Sequence, residues 1–218
     1  MSTGRLLLCR CVAFSSLLAA SISASEPPHP ARDVEKMQLI EINNGLNAID
    51  IEGDDSSGLV FQAHRENYNA HSFEHVTFYH RETSAENPSI NSDKPVWSVI
   101  PFFSGELKEK DSLETVQGAD CRLRDWVVLR KRGEKRAPLT VIVADRDFGK
   151  TYVDKRLVTF SVYRLVSNRD ESPGFPALYF SQVDQFQSKQ TYCDADVALR
   201  HELGLKLKFP LERNGIDE

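Results

Sequence analysis

Apolar residues recur at alternate positions through most of this chain, and turn-forming residues interrupt them about every ten positions, the pattern of short strands half-buried in a sheet. Strand-like runs fall at 38–43, 48–51, 59–65, 73–80, 96–103, 121–130, 139–144, 156–166 and 177–181. Glycine, asparagine, aspartate and proline separate them, at Asn43-Asn44-Gly45, 53–58, 84–95, Arg132-Gly133, 145–149 and 168–174. In the run 156–166, Val158, Phe160, Val162 and Val166 share one face while Thr159 and Ser161 share the other. One stretch reads as helix: Asp194 opens it as N-cap, Ala195, Ala198, Leu199 and Leu203 fall on one side, and Gly204 closes it. Many short strands with one terminal helix predict an all-β fold, an antiparallel β-sandwich or barrel-like domain with a short C-terminal helix. No internal repeat or heptad pattern is present.

The ends of the chain read differently. Arg5 and Arg10, an apolar stretch through Ile22 and small residues at 21–25 predict an export signal over 1–24, with Ala24 the last residue removed. The stretch is too short and broken for a bilayer span, which needs about 20 apolar residues. Residues 25–35, with Pro27, Pro28 and Pro30, predict a flexible leader; 36–210 a single β-rich domain; and 211–218 a loose tail. The expected location is therefore the periplasm, with no membrane span. Removing Arg5 and Arg10 leaves 25 basic residues against 32 acidic ones, a net charge near −7. That balance argues against nucleic-acid partners and anionic membrane surfaces.

Export also changes the meaning of the cysteines. Cys9 and Cys11 leave with the signal, and Cys121 and Cys193 remain. Two cysteines in an oxidising compartment predict a disulfide, with two separate buried thiols as the alternative. Strand alternation places Cys121, Leu123, Val127 and Leu129 on one side, and Arg122, Arg124 and Arg130 with Trp126 on the other, so Cys121 faces inward.

Several patterns invite a chemical reading and most fail on physical grounds. Ala144-Asp145-Arg146-Asp147-Phe148-Gly149-Lys150-Thr151 loosely fits a phosphate-binding loop, but such a loop must open a helix, and strand-like residues follow here. Its two aspartates would face the phosphates, so a hairpin turn is expected. His64, His71, His75 and His80 cluster in sequence, yet on one strand His71 and His75 would stand about 13 Å apart, and His80 points opposite to His75. Zinc needs ligands converging on one point, so individually paired histidines, no metal and no cofactor are expected. The acidic turn Asp50-x-Glu52-x-Asp54-Asp55 offers oxygens at calcium-like spacing, but a solvated turn is the simpler reading. Gly-x-Ser-x-Gly, Ser-x-x-Lys, Ser-Asp-Asn, Lys-Thr-Gly and His-x-His-x-Asp are all absent from the sequence. The protein is therefore expected not to be an enzyme; the alternative is a periplasmic hydrolase using Glu66 and His71 as an acid–base pair.

The most distinctive stretch runs from Gly45-Leu46-Asn47-Ala48-Ile49-Asp50 through Arg65-Glu66-Asn67-Tyr68-Asn69-Ala70-His71-Ser72-Phe73 to Thr77-Phe78-Tyr79. It resembles the signature of periplasmic carbapenem intrinsic-resistance proteins of the CarG type, as does, more loosely, Gly118-Ala119-Asp120-Cys121-x-Leu123-x-Asp125. The segments 83–110 and the C-terminal third find no counterpart in that pattern. The resemblance implies non-enzymatic protection against β-lactams. Arg65, Glu66, Asn67, Tyr68, Asn69, His71 and Phe73 are the candidate binding residues. They form either a recognition surface, in which Arg, Asn and His donors and flat Tyr and Phe faces meet a partner, or a structural plug whose polar groups satisfy backbone. The partner expected is a β-lactam small molecule or a cell-envelope protein, with homo-oligomerisation left open.

Overall fold

Strand β10 (Arg122–Lys131) carries five consecutive buried residues, Asp125 to Leu129, and β11 (Thr140–Arg146) is buried at six of its seven positions. A strand of this kind must be covered on both faces, and the rest of the fold supplies the two covers. A computed structural model describes residues 34, 36–53, 57–69, 71–82, 96–105, 108–117 and 121–205; the expected signal, most of the leader and the tail lie outside these.

The remaining strands are β1 (Met37–Ile40), β2 (Gly45–Asp50), β3 (Ser57–Glu66), β4 (Ser72–Glu82), β5 (Val96–Val99), β6 (Phe102–Ser104), β7 (Lys108–Lys110), β8 (Leu113–Glu114), β9 (Val116–Gln117), β12 (Arg156–Ser167) and β13 (Leu178–Tyr192). The helix α1 (Ala195–Leu203) follows β13. All strands join one hydrogen-bonded network that folds into two layers. The front layer is β2-β3-β4, with β5 and β8 also paired to β4; the back layer is β10-β11-β12-β13, with β1 paired to β10. Strand β9 pairs with both β4 and β10 and so links the layers. All pairings are antiparallel except β13 with β6. The architecture is the expected all-β sandwich with a short C-terminal helix.

Between the layers lies one core, with Val60, Val76, Phe78, Phe102, Trp126, Val128, Val141, Leu178 and Phe180 among its members. Phe102 and Phe180 stack at 4.5 Å, and Phe78 meets both edge-on. The opposite face of the back layer forms a second core, in which Val127, Leu129, Ile142, Ala144, Val158, Phe160 and Val162 pack under α1. The helix presents Ala195, Ala198, Leu199 and Leu203, all buried, and ends on Gly204 in the left-handed conformation (φ 62°), as the pattern predicts. Tyr192, at the end of β13, donates its hydroxyl to the Glu202 carboxylate at 2.9 Å and fastens the helix to the sheet. Burial, reinforced by that carboxylate, pushes its pKa up to about 12.

Several expectations need correction. Trp126 shares its side of β10 with Arg124 and Arg130, but it lies in the inter-layer core because that face is covered along its middle. The run 96–103 is two strands: Ile100 donates its backbone N–H to Phe78, while the carbonyl of Pro101 accepts from Phe180, so the chain crosses between layers there. The run 177–181 is only the start of the fifteen-residue β13, whose later positions are mostly polar because one side faces water, with Phe186 and Tyr192 turned into the second core. The Asp194 side chain does not cap α1; its Oδ1 accepts the Arg122 N–H at 2.6 Å. The loose phosphate-loop pattern is a hairpin between β11 and β12: Arg146, 2% exposed, donates to the carbonyls of Tyr152 and Asp154, and the Asp154 carboxylate accepts from Lys150 and Thr151.

Cys121 and Cys193 are joined, their Cα atoms 5.5 Å apart, so the bridge ties the start of β10 to the residue before the helix N-cap. It closes a separation of 72 residues, and loop-closure entropy of that size corresponds to about 4 kcal/mol. Peptide mapping without reductant should return a Cys121–Cys193 linked peptide. Cys193→Ser should lower the melting temperature by several degrees, from a loss of about 2–5 kcal/mol. Free thiols in the native protein, or an unchanged melting temperature, would contradict this.

Candidate functional site

Strands β3 and β4 form a hairpin whose pairing runs from Gly58 opposite His80 to Glu66 opposite Ser72. The seven candidate residues occupy its tip. Strict alternation sorts them: Arg65 and Phe73 are cross-strand partners on the outer face, while Glu66 lies on the inner face with His64. The Arg65 guanidinium sits 4.2 Å from the Phe73 ring centre. At an exposed position this cation–π contact is worth about 0.5–1 kcal/mol, so it orients Arg65 more than it stabilises the fold.

Glu66 is the organiser of the tip. Its Oε1 accepts the backbone N–H groups of Asn67 at 2.8 Å and Tyr68 at 2.7 Å, and its Oε2 lies 3.6 Å from the His64 ring. Those bonds allow Tyr68 to adopt φ 55°, a left-handed conformation uncommon outside glycine. The Tyr68 side chain is 96% exposed. Asn69 Oδ1 accepts the His71 N–H at 2.8 Å, an Asx turn that closes the loop, and Asn67 projects into solvent. The His71 ring stacks on Tyr152 at 4.4 Å, and Phe148 meets Tyr152 edge-on at 4.7 Å. The tip thus rests on the β11–β12 hairpin through one histidine.

This arrangement divides the two readings of the segment. Glu66, Asn69 and His71 are committed to the loop's own construction, as a plug requires. Arg65, Asn67 and Tyr68 are exposed, as a recognition surface requires. Glu66 and His71 are not each other's partners, so the acid–base pair of the hydrolase alternative is not assembled. The other histidines hold separate carboxylates: His75 with Glu114 at 3.4 Å and His80 with Glu82 at 3.3 Å. Among the described residues, the one set of three cysteine, histidine or acidic ligands gathered within 4.8 Å is Cys121, Cys193 and Asp194, two of which form the disulfide. At the acidic turn, Asp50 accepts the Gly53 N–H, and Arg130 donates to the carbonyls of Asp50 and Ile51; Asp54 and Asp55 lie outside the described residues.

Two features escaped sequence reasoning. Leu46 and Phe61 face each other across β2 and β3, 66% and 46% exposed, on the outer face of the front layer. An open cleft of 780 Å³ lies where β7 and β8 stand opposite the back layer. It is near enough to the hairpin that His75, two residues beyond Phe73 on the same face of β4, lines its wall. No signal in the sequence marks the cleft, because its lining comes from β4, from 104–105 and 108–114 and from four strands of the back layer.

The backbone bonds from Tyr68 and Asn67 hold the Glu66 carboxyl below its ordinary value of 4.5. A depressed carboxylate contributes order that is present above the unfolded pKa and is lost as pH falls through the folded one. The amide signals of Asn67 and Tyr68 should therefore move together below the ordinary glutamate range, and Glu66→Gln should abolish that step. A titration at or above the ordinary value would contradict the assigned role.

A family model described as carbapenem resistance protein CarG-like matches residues 42–201. The match runs through the segment 83–110 and most of the C-terminal third, where the sequence pattern alone offered no counterpart. No curated protein matches the chain. Among solved structures, one titled "Crystal structure of CarG" aligns with a TM-score of 0.57 at 20% identity, covering 75% of this chain and 94% of that one. Identity that low supports the fold. The family match spans well over half the sequence, and on that ground the chain belongs to the CarG-like family.

Proposed function

We propose that this protein is an exported, non-enzymatic protection factor against carbapenems and related β-lactams, acting in the periplasm by binding. The observation that carries the proposal is the family match over 42–201, whose description is carbapenem resistance. The β3–β4 tip supports binding over turnover. Its carboxylate, Glu66, is engaged by two backbone amides, and its histidine, His71, is stacked on Tyr152, so neither is poised to exchange a proton with the other. Arg65, Asn67 and Tyr68 remain on the surface with a positive charge, an amide and a flat ring. Such a set suits a carboxylate-bearing drug or an acidic patch on an envelope protein.

The test pairs susceptibility with stability. Deleting the gene should sensitise the cell to carbapenems, and restoring it should reverse the effect. Arg65→Ala and Tyr68→Ala should remove most of that protection while shifting the melting temperature little, since the cation–π pairing of Arg65 with Phe73 is worth about 1 kcal/mol or less. Purified protein should leave carbapenem absorbance unchanged. Loss of absorbance in proportion to protein would establish a hydrolase, and protection that falls only with folded fraction would remove the tip from the binding surface.

A further inference from the structure

The inter-layer face of the back layer changes character along its width. Trp126, Val128, Val141 and Val143 make it apolar on β10 and β11, where the front layer covers it. On β12 and β13 the same cross-strand rows continue as Ser161, Tyr163, Gln182 and Gln185. A sheet face sealed against another layer has no use for these side chains, and here they line the 780 Å³ cleft, a volume within the range of small-ligand sites.

The charges around the cleft balance. Lys108, Lys110 and Arg124 stand against Asp111, Glu114 and Asp145, with His75 counted neutral. Two side-chain pairs in the cleft each set a donor beside an acceptor. Arg124 holds Asp145 Oδ2 through its Nε and one terminal nitrogen, which leaves the other terminal nitrogen and Asp145 Oδ1 without a bond among the described residues. Gln185 donates to Ser161 Oγ at 3.2 Å. Tyr163 lies in the next cross-strand row beyond the Gln185–Ser161 pair, its ring edge-on to Phe102 at 5.4 Å, and its hydroxyl has no partner among the described residues. Burial, then the neighbouring Asp145, pushes its pKa up, against the opposing effect of Arg124, so it stays a neutral O–H.

An anionic ligand would meet three carboxylates here, and a cation would meet three basic groups. A hydroxyl group both donates and accepts, so it can use a paired Arg–Asp or Gln–Ser couple at both ends. We propose that this cleft is a binding site for a neutral saccharide, with the Arg124–Asp145 pair and Tyr163 as the central recognition groups. The proposal is independent of the protection function assigned to the hairpin tip.

The full mature protein, titrated by NMR with N,N′-diacetylchitobiose, maltose, citrate and spermidine as probes, tests it. At least one of the two neutral disaccharides should bind and move the signals of Tyr163 and Arg124, and neither ion should. Tyr163→Phe should weaken that binding about tenfold, the scale of one hydrogen bond. Asp145→Asn should weaken it too and let citrate bind, because the cleft then carries net positive charge. If Tyr163→Phe fails to fold, Gln182→Ala carries the same expectation. Absence of disaccharide binding, binding of citrate or spermidine to the unaltered protein as tight as the disaccharide's, or unchanged affinity in folded variants would overturn the proposal.

Discussion

Everything in this molecule follows from the double burial of β10 and β11. These strands place apolar residues on both faces: Val128 and Val141 toward one side, Leu129 and Ile142 toward the other. Leaving either face in water would cost about 25 cal/mol for each Å² of apolar surface. The front layer answers one face and α1 the other. The Cys121–Cys193 bridge and the Tyr192–Glu202 hydrogen bond sit where the helix meets the sheet, holding the smaller cover in place.

The covers are unequal in extent. The front layer seals β10 and β11 but leaves much of β12 and β13 open, and there the side chains turn polar and the cleft begins. At the end of the sandwich, β3 and β4 project as a hairpin whose tip is built from its own polar groups: Glu66 binds two amides and Asn69 a third. Carboxylates elsewhere are used the same way, Asp194 on the Arg122 amide and Asp154 on the β11–β12 turn. What remains available to a partner is what construction does not use: Arg65, Asn67 and Tyr68 at the tip, and Tyr163 with Gln182 in the cleft.

Much of the fold could be read from the chain because most elements have one wet face and one dry one. The helix was legible in Ala195, Ala198, Leu199, Leu203 and Gly204, and strands β3, β4 and β12 in their alternation. The reading failed where that contrast disappears. Trp126 follows arginines on its own face of β10. The latter half of β13 is polar at most positions because one of its faces borders solvent, and β7 (Lys108–Lys110) is a charged edge strand of the kind that resists further pairing. The tip was legible as a segment, since glutamate, asparagine and histidine concentrate there. Which side chains build the loop and which face outward depends on the left-handed Tyr68 and on the stacking of His71 against Tyr152, neither of which leaves a local signature. The cleft was illegible for a simpler reason: its lining residues are scattered from His75 to Gln185.

Native-state hydrogen exchange across the whole chain tests this dependence most directly. If the doubly covered strands anchor the structure, amides of Val127, Val128, Val141, Ile142 and Phe160 exchange only through global unfolding, and amides at the β3–β4 tip and in β7 open at far lower free energy. Reduction of the disulfide should then release α1 and speed exchange in β10 before it affects β3 and β4. Fast exchange in β10 and β11 with slow exchange in the front layer would contradict the account and place the anchor elsewhere.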